Sequence, residues 1–138
     1  MATREAIIVG TDGTDTAECA VDRAGALALA FGATVHVVSA YSDDRTPLAG
    51  AGKQGDRTHA QQHLDRALER LAKQGVESEA HITNQEAGRA LVEIADEQHA
   101  QMIVVGNRGM TGARRVLASV PNYVSHHAHC DVLIVHTK

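Results

Sequence analysis

The residues best suited to chemistry lie in one glycine-studded segment. Residues 105–123 read VGNRGMTGARRVLASVPNY, with Gly106, Gly109 and Gly112 at every third position. Glycines permit positive φ and let backbone N–H groups approach an anion closely. Ser119 stands at a predicted helix N-cap, where free N–H groups and the helix dipole favour negative charge. Three guanidinium groups lie nearby, those of Arg108, Arg114 and Arg115. The combination predicts a phosphate site.

Glycines after a strand can also do no more than turn the chain. The segment is not a Walker A loop, because it lacks the Gly-Lys-Ser/Thr end, and it is not the G-x-G-x-x-G of dinucleotide sites. The phosphate interpretation therefore depends on the strand and the helix that flank the glycines.

Apolar periodicity predicts strands and helices in alternation. The first helix should follow Thr14 as its N-cap and end before Gly32, and the second should close at Gly75. The fourth should tolerate Pro121 in its first turn. Strands are predicted at 6–10, 34–41, 76–82, 102–106 and 131–137, and helices around 17–31, 64–71, 87–95 and 120–127.

Short apolar strands separated by helices predict an α/β fold, a five-stranded parallel doubly wound sheet with four helices, as one domain over residues 1–138. Ligands of such sheets bind beyond the carboxyl ends of the strands, where the strand order reverses. If the order is 3-2-1-4-5, Thr11 and Asp12 face Gly106 and Gly109 across one crevice.

Composition excludes several classes of function. Aromatic residues make up 2% of the chain and the net charge is −4, which argues against a general nucleic-acid or membrane-surface binder. No apolar run approaches the ~20 residues of a membrane span, and the first ten residues lack a signal-peptide pattern, so we expect a cytoplasmic protein. Cys19 and Cys130 fit reduced thiols, with a disulfide left open.

The histidines do not predict a metal site. His126, His127 and His129 beside Cys130 lack the spacing of structural zinc ligands and indicate a polar helix end. His59 and His63, four residues apart, indicate a solvated helix face.

Asp12 could hold Mg²⁺ beside phosphates, because that ion prefers carboxylate oxygens. Its alternative is to cap the first helix or to hydrogen-bond an adenine amino group, and we favour that alternative. No residue is predicted as catalytic, since none stands out as a base to activate water. We expect at most a slow ATPase activity.

Residues 9–24, VGTDGTDTAECAVDRA, and 104–137, VVGNRGMTGARRVLASVPNYVSHHAHCDVLIVHT, resemble a single-domain universal stress protein. The resemblance covers essentially the whole chain. It implies a flavodoxin-like, Rossmann-like sheet of order 3-2-1-4-5. It further implies an adenine nucleotide ligand, with ATP first, AMP or cyclic AMP as alternatives and Mg²⁺ possible, and a role as a stress-response sensor or switch.

The resemblance also implies a set of site residues, through the family's Gly-x2-Gly-x9-Gly-Ser/Thr signature. Glycines and the serine would contact ribose and phosphates, Thr11 and Asp12 would lie near the adenine, Ala40 would offer its backbone to the base, and two valines would wall the pocket. With Arg108 added for its charge beside the glycines, the full set is Thr11, Asp12, Ala40, Val105, Gly106, Arg108, Gly109, Ala118, Ser119 and Val120.

The chain departs from the signature at two points. Ala118 stands where the third glycine should be, and eight residues rather than nine separate it from Gly109. The alanine methyl either hinders a phosphate or is harmless if φ there is negative. A protein of the same fold that binds no nucleotide and acts as an interaction module is therefore the alternative function.

The last strand, VLIV at 132–135, is apolar on both faces. An apolar edge strand invites pairing unless it is covered. The resemblance implies a homodimer in which this strand pairs antiparallel, with Val132, Ile134 and His136 near the axis. The alternative is an edge covered by the chain's own helices.

Overall fold

The computed structural model describes residues 5–42, 56–107 and 115–136, with the backbone alone at 115–119, and it shows a parallel sheet between helices. Within these residues, the elements are β1 (Glu5–Gly10), α1 (Asp15–Phe31), β2 (Ala33–Ala40), α2 (Arg57–Lys73), β3 (Ser78–Thr83), α3 (Ala87–Glu97), β4 (Met102–Gly106), α4 (Arg115–His127) and β5 (Asp131–Val135). The strand order is β3-β2-β1-β4-β5 and every neighbouring pair is parallel. The predicted fold class and strand order are confirmed.

Two helices cover each face of the sheet. On the α1/α2 face, Ile7 and Val9 of β1 pack against small side chains of α1 and against Leu64 and Leu71 of α2. On the α3/α4 face, Ile8 of β1 packs with residues of α3 and α4. No described helix is long and apolar enough to cross a membrane.

The ends of α1 follow from local chemistry. The Thr14 side chain accepts a hydrogen bond from the Ala17 amide at 3.2 Å, and Gly32 closes the helix in the left-handed conformation with φ of 70°. A hydroxyl at the N-cap and a glycine after the last turn satisfy backbone groups that the helix itself leaves unpaired. Both predicted boundaries are confirmed.

The fourth helix begins earlier than the sequence predicts. It starts at Arg115 rather than near Val120, so Ser119 is a helical residue and not the N-cap, and Pro121 lies in the helix interior rather than in its first turn. The prediction gave Pro121 the position that the residue prefers. Because the helix begins earlier, Pro121 lies in its interior, where the missing N–H costs the helix one backbone hydrogen bond.

An ion-pair network joins α1 to α2. Arg70 donates Nε to Asp22 Oδ1 at 3.0 Å and Nη2 to Asp22 Oδ2. Arg66 Nη1 lies 3.3 Å from Glu18 Oε2, and Arg70 Nη1 lies 3.6 Å from Glu18 Oε1. The hydrogen bond that Arg70 donates to Asp22 is the largest cause of the raised pKa of Arg70. Bidentate geometry makes this pair more specific than an ordinary surface ion pair.

Three polar residues are buried among the described residues: Thr11 just after β1, and His36 and Ser39 in β2. The His36 side chain lies on the α3/α4 face and the residue is 4% exposed. Burial lowers the pKa of His36, the negative charge of Glu79 opposes that shift, and His81 adds to it. The imidazole is therefore neutral in the folded protein near pH 7.

We expect the stability of the protein to fall as the pH drops from about 7 to about 5.5, partly through His36. A histidine whose folded pKa is lowered binds fewer protons than its unfolded counterpart, whose pKa is about 6.5. Acid therefore favours the unfolded state. In urea unfolding at several pH values, His36→Val should reduce the slope of unfolding free energy against pH. An unchanged slope would contradict this assignment.

Candidate functional site

The carboxyl ends of β1 and β4 meet where the strand order reverses. Val9 of β1 lies opposite Val104 of β4. Two residues further along each strand come Thr11 and Gly106, so both lie at the same edge of the sheet. Asn107 donates its amide to the Val135 carbonyl at 2.9 Å and ties the start of the glycine segment to β5. The juxtaposition that the sequence predicted for Thr11 and Gly106 is present.

The turn after β1 is held by its own side chains. Thr11 is buried, and its hydroxyl accepts a hydrogen bond from the Gly13 amide at 3.2 Å. Asp12 is exposed, and its Oδ1 accepts from the amide of Thr14 at 3.0 Å and from its hydroxyl at 2.6 Å. Asp12 thus braces the N-cap of α1. Its carboxylate also lies at the sheet edge, where it can accept from a ligand.

The end of β2 offers the backbone groups of Ala40 and the side-chain hydroxyl of Ser39. Ala40 is its last residue and is half-buried. The Thr11 amide donates to the Val38 carbonyl at 2.9 Å, which holds the turn after β1 against β2. The Ser39 hydroxyl is buried and has no hydrogen-bond partner among the described residues. A buried polar group without a partner is uncommon, so this edge retains hydrogen-bonding capacity.

Apolar side chains lie beneath this edge on the α3/α4 face. Val105 is buried there, and Val120 of α4 packs partly buried against the same residues. Both predicted wall residues therefore belong to one apolar cluster. An apolar wall with a few polar groups above it can hold a planar base and orient its edge.

The phosphate-contacting half of the predicted site lies only partly within the residues that the structure describes. Arg108 and Gly109 lie outside the described residues. Ala118 and Ser119 belong to the backbone of α4. Helical residues have negative φ, so an alanine at 118 is not strained there.

Sequence reasoning missed His63. This residue of α2 was predicted to lie on a solvated helix face, as His59 does, but it is half-buried and its ring packs against Gly13. A Cβ at position 13 would overlap the ring, and Gly13 has a φ of 82°. Burial lowers the pKa of His63, partly opposed by the charge of Asp12. The sequence signal for this contact was Gly13, because a glycine permits the close approach of another side chain.

The remaining histidines of the C-terminal segment do not converge. The Nδ1 atoms of His126 and His127 lie 2.8 Å from the carbonyl oxygens four residues earlier, and His129 pairs with Asp96 at 3.1 Å. In the described residues, both cysteines are free thiols. The interpretation of 126–130 as a polar helix end is consistent with these contacts.

Comparison with known proteins places this geometry in a family. The family model described as "Universal stress protein family" matches residues 3–136. Universal stress protein Rv1636 of Mycobacterium tuberculosis H37Rv is 38% identical over 147 residues, covering 99% of each chain.

Solved structures agree with that match. A universal stress protein in complex with cAMP has a TM-score of 0.77 and 34% identity, covering 99% of this chain and 100% of its own. A universal stress protein from Archaeoglobus fulgidus in complex with dAMP has a TM-score of 0.75 and 26% identity, covering 97% and 98%. The chain therefore belongs to the universal stress protein family.

Proposed function

We propose that the protein binds an adenine nucleotide at the crevice beyond the carboxyl ends of β1 and β4. The observation that carries this proposal is the meeting of Thr11 and Gly106 at the point where strand order reverses. Sheets of this type bind ligands at that point. Two relatives described in complex with cAMP and with dAMP support adenine as the base.

Each described residue has a suitable property for that ligand. Asp12 is exposed and can accept a hydrogen bond from the adenine amino group, and Ala40 can offer backbone groups to the base edge. Val105 and Val120 supply the apolar wall. We assign ribose and phosphates to Gly106, Arg108 and Gly109, and to Ser119 in the first turns of α4.

ATP is the nucleotide that the sequence predicts, with Mg²⁺ at Asp12 as a possible companion. The monophosphates in the two related complexes make AMP and cyclic AMP the competing ligands. We propose a cytoplasmic sensor or switch in the stress response, with at most slow ATP hydrolysis. The alternative is an interaction module that binds no nucleotide.

Calorimetric titration of the purified protein with ATP, AMP and cyclic AMP, with and without Mg²⁺, tests this function. We expect micromolar binding that weakens about tenfold or more in Gly109→Ala and in Ser119→Ala, because each change removes a close approach or a hydrogen bond to a charged group. The ranking of the three nucleotides identifies the preferred one.

Ala118→Gly is the matched variant for the departure from the family signature. Unchanged affinity would agree with a helical, negative φ at that position. If only Ala118→Gly bound nucleotide, the methyl would be what closes the site, and the interaction module would be the correct function. Absence of binding by both proteins would contradict the nucleotide site itself.

Gly13→Ala should weaken nucleotide binding, because the new Cβ overlaps the His63 ring and displaces the turn that holds Asp12. Gly32→Ala is the matched control, since Gly32 also has a positive φ of 70° but nothing within 4 Å of a built Cβ. Each substitution should cost about 1–2 kcal/mol of stability through backbone strain. In calorimetry, only Gly13→Ala should lose affinity. Equal losses of affinity would show that the His63 contact has no role.

We further propose that the protein is a homodimer that pairs β5 with its copy. β5 is an edge strand, as the sequence predicted, and Ile134 is 45% exposed on it. Val132 and His136 lie on the same side of the strand as Ile134, by the alternation of side chains. An exposed apolar edge favours pairing with an identical strand across a two-fold axis.

Ile134→Lys should convert the dimer to a monomer, because two charged side chains would meet near the axis. Light scattering coupled to size-exclusion chromatography measures the mass directly. Leu29→Lys is the matched control, since Leu29 is an apolar residue exposed by 56% on α1 rather than on β5. A wild-type monomer, or a dimer that survives Ile134→Lys, would contradict pairing through β5.

A further inference from the structure

Two histidines and a glutamate come together on the β2–β3 half of the sheet. His36 of β2 lies opposite Glu79 of β3, and Val38 lies opposite His81. Residues 36 and 38 share a face, and so do 79 and 81, because side chains alternate along a strand. All three polar side chains therefore lie on the α3/α4 face, on adjacent strands.

The ligand atoms of this group are close to one another. His36 Nδ1 is 2.9 Å from His81 Nε2 and 3.9 Å from Glu79 Oε1. The three candidate ligand atoms lie within 4.8 Å of one another, and no other such group of three occurs in the described residues. The two imidazole rings are 5.1 Å apart at their centroids and tilted by 35°.

These distances suit one small metal ion. Zinc binds imidazole nitrogen at about 2.0–2.1 Å and carboxylate oxygen at about 2.0–2.2 Å, so two ligand atoms of a tetrahedral site lie about 3.3 Å apart. The two nitrogens must separate by about 0.4 Å and the carboxylate must approach by about 0.6 Å. The Glu79 side chain is 64% exposed and His81 is half-buried, so both can move while buried His36 stays in place.

The chemistry of the three groups also fits. Without a metal, one of the two facing nitrogens must carry the proton that the other accepts. When a metal takes the place of that proton, the donating ring changes tautomer, so both facing lone pairs bond to the ion and each neutral ring carries its one N–H on the other nitrogen. Burial lowers the pKa of His36 and keeps its ring in this neutral, ligating form. Glu79 supplies a negative charge to a divalent ion.

We propose that His36, Glu79 and His81 form a binding site for a zinc-class divalent ion, with two imidazole nitrogens and one carboxylate oxygen as ligands. Two imidazoles favour Zn²⁺, Co²⁺ or Ni²⁺ over Mg²⁺ and Ca²⁺. The exposure of Glu79 leaves a fourth coordination position on the solvent side for water or a further ligand. The ion would join β2 to the edge strand β3.

This site is separate from the proposed nucleotide site. His36 and Ala40 are four residues apart on β2, about 13 Å along the strand. The same rigid strand connects them, but no ligand residue is shared. Loss of metal binding and loss of nucleotide binding are therefore distinguishable.

Equilibrium dialysis of the tag-free protein against Zn²⁺, with visible absorption spectra of the Co²⁺ form, tests the proposal. We expect one ion per chain with a tetrahedral Co²⁺ spectrum, and a Tm at least about 5 °C higher when Zn²⁺ is 100-fold above its Kd. His81→Ala and Glu79→Gln should each lower Zn²⁺ affinity by about tenfold or more.

The double variant His126→Ala/His127→Ala is the matched control, because it removes two exposed histidines outside the group. Its affinity should equal that of the wild type. Glu79→Gln keeps the proposal testable if His81→Ala fails to fold, since Glu79 is exposed. Retained affinity in both ligand variants, or an equal loss in the control, would overturn the site.

Discussion

The structure depends on burying β1 and β4 between two helix layers with almost no aromatic side chains. Ile7, Ile8 and Val9 of β1 are fully buried, as are Ile103 and Val104 of β4. A strand that is buried on both faces cannot slip by one residue without exchanging its two sets of contacts. The fixed register brings the ends of β1 and β4, with Thr11 and Gly106, to one edge of the sheet.

Small residues in α1 make that burial possible. Its buried positions are occupied by alanines, a valine and a glycine, and α1 packs against both the sheet and α2. Small side chains let a helix approach a sheet closely, and the branched residues of the strands then fill the remaining space. The Arg70–Asp22 pair joins the outer surfaces of the same two helices. The ion pair fixes the orientation of α1 relative to α2, and apolar packing stabilises the interface between them.

The sequence predicts the elements well because their signals are local. Apolar periodicity, Thr14 and Gly32 each act within one helix or strand, and all five strands and the ends of α1 were found close to their predicted bounds. The nearness of Thr11 and Gly106 was also predicted, because a parallel sheet brings the carboxyl ends of neighbouring strands to one edge.

The contacts that the sequence did not predict join residues far apart in the chain. His63 reaches Gly13 across fifty positions, and His36 reaches His81 across forty-five. The sequence separation of neither pair matches the period of a helix or a strand. The contact of His63 depends on how α2 packs, and that of His36 depends on the register of β2 against β3. Nine histidines in the chain offer many pairs, and only the fold selects among them.

The early start of α4 gives the departure from the family signature a physical reason. A glycine costs a helix interior about 1 kcal/mol relative to alanine, so Ala118 favours the helical backbone that is found there. The helix begins at Arg115 rather than at Val120, so its first free N–H groups lie five residues nearer the glycine segment than predicted. A phosphate bound at this end, as proposed, would meet the free amide groups near Arg115 as well as Ser119. Ala118 is therefore compatible with the helix that the structure shows at this position.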